Sequence, residues 1–440
     1  MTTSTTTSAA TPVATPATFW TIWCGQLVSV LGSGITQFAL AVWAFQRSGS
    51  ATQFGVIAMC AVLPGLLLSP VAGAFVDRWN RRTAMLVADA GAALASGTIA
   101  ALVAGDRIAV WQLYAATAFS SSLAALHQPA YQAMTSMLVP KHRLGQASGA
   151  VLAADAAAEL CSPVLGGLLL PAVGLTGIFV IDLCTFAIAV ATLSAARVPS
   201  LPRRAPSIDS LRSSIWREIA EAWRYVAARP GLVGLLALSC VTSLAVGFLE
   251  VLSAPVVLSR ASPGVLGAVR SFSGAGMLAG SIAMQLWGGP RARVAGMVGF
   301  QLALGAHLVV MGFLTAPWLL AAAGFGALFS IPLVNGCAQT LWQTKVALHL
   351  QGRVFALRRL ARICRPLGFV AAGALADRVL DPLMSGGGFA RAVGPWIGVG
   401  PGRGSALLLA LVGATTLVAT LAVSRYRPLR EVQHELPDAH

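Results

Sequence analysis

The sequence predicts an all-α membrane protein of twelve transmembrane helices, arranged as two pseudo-symmetric six-helix halves. Three observations predict it. The 440 residues are 56% hydrophobic and only 10% charged, against roughly 25% charged in ordinary soluble domains, too few charges to cover a soluble surface of this size. Apolar runs ending at Phe45, from Ala84 to Ala104 and from Gly404 to Val423 approach or exceed the ~20 residues that cross a hydrocarbon core. Finally, the basic residues recur in short clusters between such runs, as loops between spans do.

Taken in chain order, Met1 to Thr18 is largely Thr, Ser, Ala and Pro without charge. It lacks the basic n-region of a secretory signal and reads as a disordered cytosolic tail, 1–18. Hydropathy and turn signals then place helices at 19–45, 52–76, 83–104, 109–139, 146–170, 174–196, 231–258, 264–287, 294–315, 317–344, 355–380 and 404–424. The N-terminal six-helix bundle is thus 19–196 and the C-terminal one 231–424. Between them, 197–230 is the longest polar interval and reads as a cytoplasmic linker; its segment Ile208 to Ala228 has the pattern of an amphipathic helix with Trp216 and Trp223 at the interface. A cytosolic tail, 425–440, closes the chain.

The +15 net charge raises nucleic acid as a partner, but its placement excludes that reading. All but Lys141 and Lys345 of the 30 basic residues are arginine, and 23 of the 30 fall in alternate loops or the C-terminal tail; Arg47, Arg107, Arg260, Arg270, Arg378, Arg391 and Arg403 fall on or near the other face. Such a bias makes the Arg-rich face cytoplasmic and puts both termini there. Seven cysteines lie in or beside apolar segments without metal-ligand spacing, so they read as small core residues and no metal is expected. Nothing resembles a Walker loop or a nucleophile elbow; no cofactor and no enzymatic activity are expected.

Internal similarity supports duplicated halves. At one constant offset, Gln132, Val139, His142 and Gly145 match Gln339, Val346, His349 and Gly352, at the ends of the fourth and tenth helices. Duplication is a mark of secondary transporters, whose substrate site lies at the repeat interface.

Between the second and third helices the chain reads Gly73-Ala-Phe-Val-Asp77-Arg78-Trp-Asn80-Arg81-Arg82. This resembles the signature loop of the major facilitator superfamily, Gly-x-Leu-Ala-Asp-Arg-x-Gly-Arg-Arg/Lys, at the location that superfamily uses. Asn80 replaces the usual Gly; Asn is the other residue that readily visits left-handed conformations, so the turn is expected to survive. The fifth helix resembles the superfamily's antiporter motif through Gly149, Ala158, Ser162, Pro163, Gly166 and Gly167, small residues that let helices pack closely. Across nearly the whole chain, the Gly-Pro-Gly-Arg-Gly stretch before the last helix included, the sequence is similar to drug:proton antiporters of the macrolide-efflux-like branch. The resemblance implies proton-driven export of small amphipathic molecules by alternating access; an importer or symporter of a metabolite is the alternative. A membrane receptor would need a sensing domain that the sequence does not show. It also implies that Asp77 docks at the start of the eleventh helix when the cytoplasmic side closes, with Arg78, Arg81 and Arg82 completing the switch loop.

Polar groups inside a membrane cost free energy and face a bundle interior or a water-filled cavity. Gln26, Ser29, Ser33 and Gln37 recur on one face of the first helix, Gln128, Tyr131, Gln132 and Thr135 on the fourth, and Asn335, Gln339, Trp342 and Gln343 cluster on the tenth; these stripes are the candidate substrate cavity. Five acids lie within predicted spans. Asp89 and Asp182 read as structural. Asp155 and Glu159, four residues apart, share a helix face, and an ionised carboxylate near mid-membrane costs about 2.5 to 3.5 kcal/mol on insertion scales, which suits groups that carry a proton. Glu250 is a third candidate, with Arg270 as its expected partner because both lie towards the outer face. His127 and His307 read as bonded core histidines. The expected partners are therefore protons, a small amphipathic substrate and the lipid bilayer, for a monomer in a bacterial cytoplasmic membrane.

Overall fold

Hydrocarbon offers backbone N-H and C=O groups no partner, so an apolar chain satisfies them within helices; among the described residues there is no strand. The computed structural model describes residues 16–140, 143–196, 220–346, 350, 354–355, 357–358 and 361–430, and at 16, 70, 71, 73, 74, 77 and 78 the backbone alone. The helices are α1 (Pro16–Ser48), α2 (Ala51–Arg78), α3 (Arg81–Ala104), α4 (Val110–Leu138), a segment Leu144–Ala195, then α7 (Pro230–Leu258), α8 (Pro263–Trp287), α9 (Arg293–Phe313), α10 (Pro317–Lys345), α11 (Cys364–Leu375) and α12 (Arg403–Ser424). Nine helical segments among the described residues are long and apolar enough to cross a membrane; the more polar α4 and the interrupted α11 fall outside that set.

Leu144–Ala195 is two helices. Gly174 has φ 66° and ψ 179°, a conformation that glycine adopts without the Cβ penalty, and it divides α5 (144–173) from α6 (175–195). Contacts with α1 give their directions. Trp23 donates to the Ala150 carbonyl at 2.8 Å and Ser162 to that of Leu31 at 3.2 Å, so α5 runs parallel to α1. Gly25 faces Thr192 and Gly32 faces Thr185, so α6 returns antiparallel. One α1 face therefore carries both helices, and its glycines set their approach.

The switch-loop turn does survive, by a different device from the expected one. Asn80 has φ −63° and ψ 120°, extended rather than left-handed, and its side chain accepts the Arg82 N-H at 3.0 Å. It is the N-cap of α3, a position where Asn is among the best residues. Arg82 closes the turn from the other side, donating to the Leu193 carbonyl at 3.1 Å and to that of Ser194 at the end of α6. The duplicated halves show in matched helix ends: Val139 (φ −118°, ψ 134°) terminates α4 as Val346 (φ −109°, ψ 126°) terminates α10.

The helix expected at 355–380 is interrupted. A 3-10 turn, Ala361–Ile363, precedes α11, and a π-helical turn, Ala376–Leu380, leads into Asp381–Ser385. Pro366 and Pro382 explain both breaks, since each lacks the N-H that would bond the carbonyl four residues back. The cysteines also differ from expectation: of these free thiols only Cys337 is buried, while Cys24, Cys161 and Cys184 are exposed on helix flanks. Of the linker, 220–227 is helical with Ala222 and Val226 buried against Leu232 and Leu235. Tail residues 1–15 and 431–440, linker residues 197–219 with Trp216, and Lys141, His142, His349, Gly352 and Arg359 lie outside the described residues.

The two halves meet at the end of the bundle that carries the α1–α2 turn. There the start of α2 packs on the end of α11, and the end of α5 on the start of α8. A Cβ on Gly167 would stand 2.7 Å from the Pro263 carbonyl oxygen, and one on Gly267 would clash with the Pro163 carbonyl. These reciprocal Gly-Pro contacts bring backbone against backbone. At the Arg-rich end of α5, by contrast, Gly145 and Gly149 have nothing within 4 Å of an added Cβ. Among the described residues, close contact between the halves thus gathers at the α1–α2 end, the closed end, and is not found at the Arg-rich, open end. Gly267→Val should lower stability by about 1 to 3 kcal/mol, as overpacking does, whereas Gly149→Ala should leave it unchanged or higher. Melting temperatures of the purified variants check this; equal values for both would contradict the interlock.

Candidate functional site

Directly beneath the closed end, charged side chains from both halves converge. Glu250 on α7 is next to Val251, whose side chain lies 3.6 Å from where a Gly55 Cβ would be, and Arg365 on α11 is one turn before Phe369, whose carbonyl meets Gly55. Arg365 holds Glu250 in a two-pronged pair, Nε to Oε2 at 3.0 Å and Nη2 to Oε1. Bidentate geometry fixes the carboxylate plane. The pair keeps 42% and 36% of its side-chain surface exposed, so water reaches it. From the other half, Glu159 on α5 is exposed, and the charges acting on it are Glu250, Arg365 and Asp155. Asp155 in turn lies in the field of His127 on α4, and its own charge acts on Tyr131. The apex of the bundle therefore carries three carboxylates and one guanidinium, with a histidine at its margin.

Arg270 does not pair with the Glu250 carboxylate as its depth suggested. Its Nη2 donates instead to the Glu250 carbonyl at 2.6 Å and to the Ser253 hydroxyl at 3.0 Å, and its guanidinium carbon lies 5.9 Å from the Phe38 ring centre and 5.4 Å from that of Phe54. It belongs to the closed end, where a cation over aromatic faces joins α8 to α1 and α2.

The expected cavity residues divide into two groups. Gln37, Gln128, Gln132 and Asn335 are exposed, and the half-exposed Gln339 accepts a hydrogen bond from Arg358. Three others are withdrawn into the bundles. Gln26 is 3% exposed and donates to Asp89 Oδ2 at 3.2 Å, while His127 Nε2 stands 3.3 Å from Asp89 Oδ1; Tyr131 is buried beside His127. Trp342 is fully buried in the C-terminal core. Ser33 donates to Asp182 Oδ1 at 3.4 Å and Ser96 to Oδ2 at 2.6 Å, so Asp89 and Asp182 each tie α3 to neighbouring helices of one half. In the antiporter-like stretch, Gly166 packs on Phe38, Gly167 and Pro163 form the interlock, and Gly149 faces open space. Arg81 donates to Met137 Sδ at 2.9 Å. The side chains of Gly73, Asp77 and Arg78 lie outside the described residues.

A helical bundle of two halves that meet over a water-accessible charged apex is matched by sequence over most of its length: residues 22–362 fit the profile of the Major Facilitator Superfamily. The chain belongs to that superfamily. This superfamily transporter is 27% identical over 373 residues to Macrolide efflux protein A of Streptococcus pyogenes, across 82% of this chain and 90% of that protein. It is 29% identical over 367 residues to Multidrug efflux pump Tap of Mycolicibacterium fortuitum, across 80% and 87%. A bacterial homolog to the human lysosomal transporter Spinster, in an inward-facing and unoccupied conformation, has TM-score 0.69 at 14% identity, covering 94% of this chain and 97% of that one. A nucleoside transporter has TM-score 0.70 at 10% identity, covering 92% and 99%. At such identities the structures speak for the fold alone.

Sequence reasoning missed Arg365, which it grouped with the Arg-rich cytoplasmic cluster. A signal was present: Arg365 falls ten residues into a helix expected to start at Phe355, and at 1.5 Å per residue that is about 15 Å of depth. In a variant stripped of native cysteines, Gln132→Cys and Glu159→Cys should react with a water-soluble thiol reagent, whereas Gln26→Cys and Trp342→Cys should not. Equal labelling of all four positions would contradict the assigned cavity.

Proposed function

We propose that this superfamily transporter exports small amphipathic, drug-like molecules in exchange for protons, by alternating access. The observation that carries the proposal is the apex cluster: Glu159 from one half and Glu250 with Arg365 from the other, water-accessible and immediately beneath the only strip where the halves interlock among the described residues. A proton arriving there changes the charge balance at the joint about which the halves must move, which couples occupancy to opening. The names of the relatives, macrolide and multidrug efflux pumps, support export and the substrate class.

The remaining assignments follow from charge placement. The Arg-rich open end faces the cytoplasm, the described state is inward-open, and both termini are cytoplasmic. Twelve spans form two domains, 19–196 and 231–424, joined by the linker 197–230, and a monomer in the bacterial cell membrane is the working unit. Asp155 and Glu159 carry the proton, while Arg365 clamps Glu250 and competes with the proton for the apex carboxylates. One charge moving through 100 mV supplies about 2.3 kcal/mol, and each 1.4 kcal/mol is tenfold, so a single proton sustains a tens-fold gradient of a neutral solute.

Replacing both acids, Asp155→Asn with Glu159→Gln, should leave an inserted protein that exchanges a macrolide downhill in proteoliposomes but no longer accumulates it against a gradient when a proton gradient is imposed. Undiminished proton-driven accumulation in the double variant would remove these acids from the mechanism.

A further inference from the structure

Asp377 lies at the closed end, apart from the charged apex. Its Oδ1 accepts the Ala51 N-H at 2.9 Å, and its Oδ2 accepts the Thr52 N-H at 2.8 Å and the Ser50 hydroxyl at 2.6 Å. Ser50 is the N-cap of α2. A helix start carries N-H groups with no partner inside the helix and a partial positive charge, so a carboxylate from one half satisfies the exposed donors of a helix in the other.

The residues leading to Asp377 explain how it gets there. A Cβ on Gly373, one turn earlier, would stand 2.6 Å from the Ala51 carbonyl oxygen and 2.7 Å from the Thr52 nitrogen. Another turn back, the Phe369 carbonyl meets Gly55. Positions 369, 373 and 377 form one stripe of the helix at four-residue spacing. The glycine admits the backbone of α2, and the carboxylate one turn later reaches its first N-H groups. Gly-x-x-x-Asp is the pattern that such docking requires.

The chain spells this pattern at two related places. Gly373-Ala-Leu-Ala-Asp377-Arg378 repeats Gly73-Ala-Phe-Val-Asp77-Arg78 at Gly, Ala, Asp and Arg. The first copy ends the run of α11 into the closed end; the second ends α2 at the open end. Gly55 meets Phe369 and Gly373 meets Ala51, so α2 and α11 run antiparallel and the two copies lie at opposite ends of the bundle.

We propose that Asp377 is a positioning residue of the transport cycle: a latch that holds the α1–α2 end shut by capping α2, opposed by Asp77 at the other end. Each copy of the pattern stabilises one of the two access states. When the closed end opens, water replaces the carboxylate at the Ala51 and Thr52 N-H groups, so the latch releases without leaving a buried donor unpaired. The inference rests on the alternating-access reading above.

The test uses the full chain in lipid nanodiscs, with spin labels at Gln46→Cys and Leu383→Cys reporting the closed end and a second pair reporting the Arg-rich ends of α2 and α11. Asp377→Ala should shift the closed-end population towards long distances by at least about tenfold, a change worth 1.4 kcal/mol. Asp77→Ala should shift it the opposite way, and the double variant should return towards wild type, a restoration that a merely structural role would not produce. Should Asp377→Ala fail to fold, Asp377→Asn, which keeps one acceptor oxygen, should shift the same way by less. Distributions for Asp377 variants identical to a wild type that itself switches would overturn the latch alone. A wild type fixed at one distance with and without a macrolide and across pH would overturn alternating access and the latch with it.

Discussion

The close approach of backbone to backbone at one end of the bundle is the constraint on which the rest depends. Gly55, Gly167, Gly267 and Gly373 each stand where a side chain would collide with a carbonyl or helix start of the opposite half. Within lipid there is no hydrophobic gain from pressing helices together, so association relies on packing and on polar contacts. Small residues supply the first. The Arg270 guanidinium over Phe38 and Phe54, and the Asp377 carboxylate on α2, supply the second. Among the described residues the interlock lies at one end, and below it Gln132, Glu159 and Asn335 are exposed.

That geometry also decides where charge can reside. Asp89 and Asp182 are buried and are hydrogen-bonded within one half, so a displacement between the halves would leave their partners unchanged. Glu159, Glu250 and Arg365 lie across the divide, where rocking of one half against the other must change their separations. A charge balance at a joint responds to a proton in a way that a charge inside either half cannot. The bidentate Arg365–Glu250 pair is partly exposed, so its own worth to stability is small; its importance is in keeping a cation within reach of two acids.

Much of this was legible in the sequence. Expected helix boundaries fell within a few residues for α1, α2, α7, α8 and α12, because the transition from hydrocarbon to loop imposes a sharp change in composition. The switch loop, the antiporter-like glycines and the candidate acids were visible as residue patterns. What stayed hidden was azimuth. Depth along a helix suggested Arg270 as the partner of Glu250, yet the side chain that faces its carboxylate comes from α11. Periodicity put Gln26 and Trp342 on polar stripes without showing that Asp89 takes up the first and that core packing encloses the second. The break in α11 was masked by its apolar composition, although Pro366 and Pro382 carried it.

The central claim is that proton binding at the joint drives substrate movement. The most direct measurement is internal pH in proteoliposomes holding the wild-type protein, with no proton gradient imposed and a macrolide gradient applied across the membrane. The account predicts that downhill macrolide flux drives protons the opposite way, at a rate that follows the flux and vanishes in empty vesicles. Macrolide movement with no accompanying pH change would contradict it.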